Sequence, residues 1–171
     1  MTKPPDGIAI RQAKQADVPQ ILELWKELMD FHSARDGHFV RAKDGHERYG
    51  EFISECIDDP KACVWVAEEK QAGKLVAHCL AMIAEYPPVF VHRRYGMIYD
   101  LAVTASHRRQ GLGQMLVDKV AAWFAERDIN RIEVQFTTTN EISGAFWVQK
   151  AGFQPFLIRA YKDIQETDVK E

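Results

Sequence analysis

Arg108-Arg109-Gln110-Gly111-Leu112-Gly113 stands between the hydrophobic run 97–103 and a stretch where Leu112, Met115, Leu116, Val120, Trp123 and Phe124 recur at three- and four-residue steps. The run reads as a buried strand and the periodic stretch as a helix with one apolar face. Glycines at 111 and 113 let the main chain approach an anion and adopt turns that a side chain would block. The helix adds unpaired N–H donors and the positive end of its dipole. Arg108 and Arg109 add charge. Strand, glycine loop and helix make a phosphate-binding arrangement. No Lys-Ser/Thr follows the last glycine, so it is not a Walker loop, and the third glycine of the dinucleotide fingerprint is missing.

Working outward, residues 8–11 alternate and read as a first strand. Asp17 with Gln20 three residues on has the form of a capping box. The helix it opens carries Val18, Ile21, Leu22, Trp25, Leu28 and Met29 on one face. Polar sequence from 33 to 45 reads as a loop. A second helix carries Tyr49, Phe52, Ile53, Cys56 and Ile57, and stops at Asp59-Pro60. Two strands follow, 63–67 and 75–84, joined by a turn containing Gly73. Pro87-Pro88 breaks regular structure before the strand ending at Val103. Beyond the glycine-loop helix, residues 131–136 alternate as a half-buried strand, Asn140 caps a helix to about Lys150, and 156–162 reads as the last strand. This order, β-α-α-β-β-β-α-β-α-β, predicts an α/β fold with a mixed central sheet of about six to seven strands flanked by about four helices.

Composition narrows the function classes. At 171 residues the chain suits one domain, with its core over about 8–164 and a polar tail at 165–171. A net charge of −3 argues against a nucleic-acid partner. No apolar run reaches the length of a membrane span, and residues 1–6 have no signal-peptide core, so a cytoplasmic protein is expected. Cys56, Cys63 and Cys79 sit in apolar segments and read as buried free thiols. The six histidines (His32, His38, His46, His78, His92, His107) show no ligand spacing, so no metal is expected.

Leu101-Ala102-Val103, four spacer residues and then R-x-x-G-x-G resemble the acetyl-coenzyme A motif of the GCN5-related N-acetyltransferases (GNAT). Asn140-Glu141-Ile142-Ser143-Gly144-Ala145-Phe146-Trp147, followed by Ala151-Gly152-Phe153, is similar to that family's second signature. The resemblance spans roughly residues 8–164. It implies a GNAT-like fold and an enzyme that moves an acetyl group from acetyl-coenzyme A to a primary amine, by direct attack in a ternary complex. A small-molecule amine is the expected acceptor.

It also implies site residues. The loop of Arg108, Arg109, Gln110, Gly111, Leu112 and Gly113 would hold the pyrophosphate. The main chain of Leu101, Ala102 and Val103 would bind the pantetheine arm where neighbouring strands splay, with the Leu101 N–H nearest the acetyl oxygen. Asn140 would both cap its helix and bond the pantetheine arm. Phe146 and Trp147 would wall the cofactor channel or pack as a core pair.

The spermidine/spermine acetyltransferases of the family carry a Glu-Asp pair just before the equivalent of Leu101. Here those positions are Tyr99 and Asp100, which leaves Asp100 as the strand's one carboxylate, a base or an anchor for the substrate ammonium. Glu133, on the adjacent strand, reads as exposed polar alternation, as do Glu23, Glu27 and Asp30 on the first helix. The family's general acid is a Tyr. That position holds Trp147 counted from Asn140, or Val148 counted back from Gly152, because this segment is one residue longer than usual. Either the thiolate leaves unassisted or with help from water, or a Tyr elsewhere, Tyr99 or Tyr161, supplies the proton. Two rival readings stay open: a coenzyme A-binding module without catalysis, and an acetyltransferase for protein N-termini or lysines. The segment from Tyr86 to Arg94, with Val89, Phe90 and Val91, offers either a homodimer surface or a loop folded over its own site.

Overall fold

The computed structural model describes residues 3–162; the tail 165–171 and the last two residues of the expected core lie outside them. The chain forms β1 (Ile8–Gln12), α1 (Val18–Ser33), α2 (Gly45–Asp58), β2 (Ala62–Glu69), β3 (Lys74–Glu85), β4 (Arg94–Val103), α3 (Leu112–Ala125), β5 (Ile132–Val134) and α4 (Glu141–Gly144). The strands make one mixed sheet in the order β1-β2-β3-β4-β5. The first three pairings are antiparallel and β4–β5 is parallel.

The α/β architecture agrees with the sequence reading, with one correction. The sheet has five strands among the described residues, because the expected strand at 156–162 takes no regular structure. Strand propensity alone does not make a strand. The ladder partner has to be present, and this segment has none.

The sheet separates two cores. On one face α3 packs Leu112, Met115, Leu116, Val120, Trp123 and Phe124 against Cys79, Ala81 and Ile98. On the other, α1 and α2 pack Ile21, Leu24, Tyr49, Ile53 and Cys56 against Val64, Val66, Leu80 and Ala102. Among the described residues no helix is long and apolar enough to cross a membrane. Cys56, Cys63 and Cys79 are buried free thiols, as read from sequence. Burial pushes Cys56 up to about 11 and Cys63 to about 12, which keeps both unreactive at neutral pH.

The start of α1 departs from the expected capping box. Asp17 makes no side-chain cap to α1. Its carboxylate instead accepts two bonds from Arg11, at 2.6 and 2.9 Å, and one from the Lys14 N–H at 2.7 Å. The bidentate guanidinium holds Asp17 below the usual carboxylate range. Gln20 is equally diverted: its amide accepts from the Leu75 N–H and donates to the Gly73 carbonyl, which ties α1 to the β2–β3 turn. Pro19 in the first turn provides the helix-start geometry instead.

Gly96 on β4 has a stricter reason to be glycine. A Cβ there would overlap the ring of fully buried Phe124. Overpacking of this kind costs about 1–3 kcal/mol. Gly96→Ala should therefore lower stability to denaturant by about that amount, and adding Phe124→Leu should recover part of it. A Gly96→Ala protein as stable as the parent would contradict this packing.

Candidate functional site

β4 is a strand with two unequal sides. Toward β3 it is paired from Arg94 to Val103, whereas toward β5 only Gly96, Met97 and Ile98 have partners. The two parallel strands then separate, and the main chain of Leu101, Ala102 and Val103 faces the gap. This is the splay that the family resemblance implies.

A β-bulge sits where the separation begins. Ile98 pairs with Ala81 and Asp100 with Leu80, so Tyr99 is an extra residue. Side chains alternate with a period of two, so Ile98, Asp100 and Ala102 would share one face of an unbroken strand. They do not. Ile98 belongs to the α3 core and Ala102 to the α1–α2 core. The bulge inverts the phase and turns Asp100 toward α2. Tyr99 is left half exposed.

Asp100 bonds one residue that the sequence reading passed over, and that residue in turn approaches a second. Tyr49 of α2 donates its phenol to Asp100 Oδ2 at 2.9 Å, and its ring stacks on Trp25 with centroids 4.3 Å apart. His78 of β3 is fully buried, and its Nε2 lies 3.5 Å from the same phenolic oxygen. Its Nδ1 has no partner among the described residues. Burial raises the Asp100 carboxyl above its ordinary range, and the Tyr49 bond opposes part of that rise. Burial, with the charge of Asp100, pushes the Tyr49 phenol far above its usual range, so it is a donor at any working pH. Burial holds His78 down to about 4, a neutral ring at neutral pH. Tyr49 was legible only as an apolar-face residue of α2 and His78 only as a lone histidine in an apolar strand. Their meeting is a tertiary fact.

Beyond the C-terminal end of β4 lies the glycine loop. Arg109 and Gly111 both take left-handed backbone, with φ of 63° and 86°. This alternation curls the main chain into an anion-binding concavity. The N–H groups of residues 109–114 donate to no other group among the described residues. Arg109 is exposed. Arg108 is engaged by the protein: its Nε donates to the Val103 carbonyl at 3.0 Å and its guanidinium pairs with Glu27 at 3.3 Å. Glu27 also accepts from the Ala105 N–H at 3.1 Å. This corrects its reading as merely an exposed helix residue, since it fastens α1 to the loop.

Asn140 caps α4 as expected, its Oδ1 accepting from the Ser143 N–H at 3.1 Å. The helix then changes character. Residues Ala145–Lys150 form a π-helical turn, closed by the Ala151 N–H on the Phe146 carbonyl at 2.8 Å. The extra residue of this segment is accommodated there. Phe146 packs beside Gly113, where a Cβ would come 3.3 Å from its ring and 3.7 Å from Leu101. Trp147 is buried in the α3 core, edge-on to Phe146 and Phe153.

Glu133 is also corrected. It is buried, accepts from Tyr86 Oη, and bonds Arg131 at 2.6 Å. The α1–α2 connection contributes a cleft of about 380 Å³ lined by Asp30, Arg41, Lys43 and His46 among others. Arg41 already occupies the Asp30 carboxylate there, so the cleft shows no free anion for a cationic amine.

The model of the acetyltransferase (GNAT) family matches residues 19–153. No curated protein sequence matches the chain. Among solved structures, a GCN5-related N-acetyltransferase from Ralstonia eutropha JMP134 is 25% identical, with 92% of this chain and 99% of that one covered and a TM-score of 0.73. An aminoglycoside antibiotic 6′-N-acetyltransferase from Acinetobacter haemolyticus is 20% identical over 92% and 98% of the two chains, with a TM-score of 0.71. A predicted acetyltransferase with acetyl-CoA from Clostridium acetobutylicum is 16% identical over 91% and 96%, with a TM-score of 0.73.

The two loop glycines differ in what they demand. Gly111 needs φ of 86°, whereas Gly113 lies in α3 beside a ring edge that can yield. Gly111→Ala should cost about 1–2 kcal/mol of stability, and Gly113→Ala should be near neutral because Ala is the better helix former. Urea denaturation of the pair checks the order, and equal losses would refute it.

Proposed function

Because the chain belongs to the acetyltransferase (GNAT) family, we propose that it transfers the acetyl group of acetyl-coenzyme A to a primary amine on a small molecule, by direct attack in a ternary complex. The observation that carries this reading is the fork in β4. It leaves main chain beyond Ile98 without a β5 partner, next to an anion-binding loop, and past the bulge it turns the Asp100 carboxylate toward α2.

The fit of acetyl-coenzyme A rests on the N–H groups of residues 109–114, which suit the pyrophosphate, with Arg109 adding charge. Main-chain groups of Leu101, Ala102 and Val103 suit the amides of the pantetheine arm, and Asn140 and Phe146 border the same region. Trp147, packed into the core, supports the channel from behind. The cosubstrate supplies an acetyl group already activated as a thioester. The protein has to orient it, meet its carbonyl oxygen with N–H donors, of which Leu101 is the candidate, and take a proton from the amine.

Asp100 is the group for that proton. A carboxyl raised by burial is a stronger base than a solvated one, and the Tyr49 bond favours its ionised form. An ammonium brought to Asp100 would meet this carboxylate, with neutral His78 on the far side of the Tyr49 hydroxyl. Tyr99, half exposed and next in the strand, takes the acid role toward the departing thiolate, since Trp147 has no acidic proton to give. The fold relatives named as aminoglycoside acetyltransferases support a small polyamine-like acceptor.

Asp100→Asn should lower kcat/KM for the amine by about two to four powers of ten while coenzyme A affinity stays within a few-fold. Near-native turnover would remove Asp100 from the mechanism, and collapsed coenzyme A binding would make it structural. Gly113→Leu should do the reverse: by crowding Phe146 it should weaken coenzyme A at least about tenfold, the scale of one lost charge-assisted bond, in a folded protein. Calorimetric titration, together with a free-thiol assay over a panel of amines, reads both. Binding without thiol release on any amine would favour a non-catalytic module.

The pH dependence follows from the same environment. Since Asp100 is active ionised and its folded pKa is raised, kcat/KM should fall with acidity at a higher pH than an ordinary carboxylate would give. Tyr49→Phe removes the bond that favours the charged form, so it should move that acid limb further up. An acid limb that stays put in Tyr49→Phe would show that Asp100 does not set it.

A further inference from the structure

Position 78 is one where an apolar side chain would pack without penalty. In the sheet His78 lies between Val66 of β2 and Ala102 of β4, both members of the α1–α2 core, and it is fully buried. Its Nδ1 has no hydrogen-bond partner among the described residues. A buried polar atom left unpaired costs about 1–3 kcal/mol, so the ring is kept against a penalty that a leucine would not carry. The other nitrogen shows what the ring does there. Nε2 lies 3.5 Å from the Tyr49 oxygen, at the long limit of a hydrogen bond, and that oxygen is 2.9 Å from Asp100 Oδ2.

The direction of this chain follows from its protons. Tyr49 has one and a carboxylate can only accept, so the phenol gives its proton to Asp100 and its oxygen is left to accept. The neutral imidazole also carries one proton, on either nitrogen. On Nδ1 it would be a buried donor without an acceptor, and bare Nε2 would compete with Asp100 for the phenolic proton. On Nε2 it meets the Tyr49 oxygen and leaves only an unpaired acceptor at Nδ1. Of the two orphans, a buried donor is the rarer in proteins.

We propose that His78 is a positioning residue for Asp100, acting through Tyr49: its Nε2–H donates to the phenolic oxygen and keeps the phenolic proton on the Asp100 carboxylate. Trp25, stacked on the Tyr49 ring with centroids 4.3 Å apart, holds the plane in which that proton can turn. Aligned hydrogen bonds strengthen one another by about 10–30% per bond, so the Tyr49 bond is stronger with His78 behind it and the ionised carboxylate is favoured. With Nδ1 unpartnered the chain ends at His78. It conveys polarity to Asp100 and leads no proton away. The other titratable neighbours of Asp100 are Cys56 of α2 and Cys79 of β3, whose thiols burial pushes up and keeps neutral, while α1 adds the uncharged Trp25. The use of this chain in catalysis rests on the acetyl-transfer reading; the coupling itself does not.

NMR on the protein without ligands tests the coupling. The ring 15N shifts of His78 should place its proton on Nε2 at neutral pH. The Asp100 carboxyl, assigned by its loss in Asp100→Asn, should titrate higher in His78→Leu, by about a tenth to a third of the rise that Tyr49→Phe produces. His78→Gln, which retains an N–H donor, should recover part of the change. In the Tyr49→Phe background His78→Leu should add nothing, a result that a general loss of polarity around Asp100 would not give. His78→Met takes the place of the leucine variant should that one not fold. A proton on Nδ1, an unmoved carboxyl in His78→Leu, a glutamine variant no different from the leucine one, or an equal rise in the Tyr49→Phe background would each overturn the proposal. The acid limb of kcat/KM should move with the carboxyl from variant to variant. A limb that stays while the carboxyl moves would count against Asp100 as the base and leave the coupling to His78 established.

Discussion

Main-chain hydrogen bonding along β4 is the constraint on which the rest of this structure depends. Every strand in a sheet interior has two sides to satisfy, and unmatched buried main-chain groups cost about 1–3 kcal/mol each. β4 satisfies β3 over its whole length but satisfies β5 for only three residues. The bulge at Tyr99 makes that arrangement useful rather than merely frayed. It inverts the side-chain phase beyond Ile98, so apolar Leu101 and Val103 pack toward the α3 core and Asp100 is turned the other way, onto Tyr49. One inserted residue therefore sets the side chains of Leu101 and Val103 and the carboxylate of Asp100 on opposite faces of a single strand.

The glycine loop is held to that strand from three directions. Arg108 bonds the carbonyl of Val103, the last residue of β4, and pairs with Glu27 on α1. Gly113, the second residue of α3, lets Phe146 and Leu101 close together at van der Waals distance. The π-helical turn over Ala145–Lys150 absorbs the residue by which this segment exceeds the family spacing, so Phe146 reaches Gly113 while Trp147 still enters the core. The loop is thereby fastened to the end of the sheet.

Most of the fold was legible in the sequence because hydrophobic periodicity and turn chemistry are local. The α3 stripe, the stop of α2 at Asp59-Pro60, the Asn140 cap and the glycine loop all depend on residues a few positions apart. What the sequence hid depends on contacts between distant segments. Asp17 has the form of a cap, but a bidentate Arg11 two turns of chain away in β1 outcompetes the helix N–H groups for its carboxylate. Glu133 alternates like a surface residue, but Arg131 and Tyr86 make its burial affordable by pairing it. The strand at 156–162 has the right composition, but strand composition sets a preference and a ladder needs a partner. Of the candidate site, the glycine loop and the Asn140 cap were readable from motifs. The surroundings of Asp100 were not, since Tyr49 reaches it, and His78 reaches Tyr49, only across the fold.

The surroundings of Asp100 show why such a base is built from neutral neighbours. A cation beside it, such as a charged histidine, would lower its pKa and hold it ionised at the expense of basicity. His78 is kept neutral by burial, so it adds bulk and polarity without a competing charge. Tyr49 contributes one directed hydrogen bond and, because its phenol is itself pushed upward, never becomes a second anion. The two effects on Asp100 are opposed: burial raises its proton affinity and a single donor tempers it. On the reading proposed above, a carboxylate whose proton affinity is raised in this way is the better acceptor for a proton from an amine nitrogen. The stacked Trp25 fixes the tyrosine's plane, and with it the direction of the one bond that sets the balance.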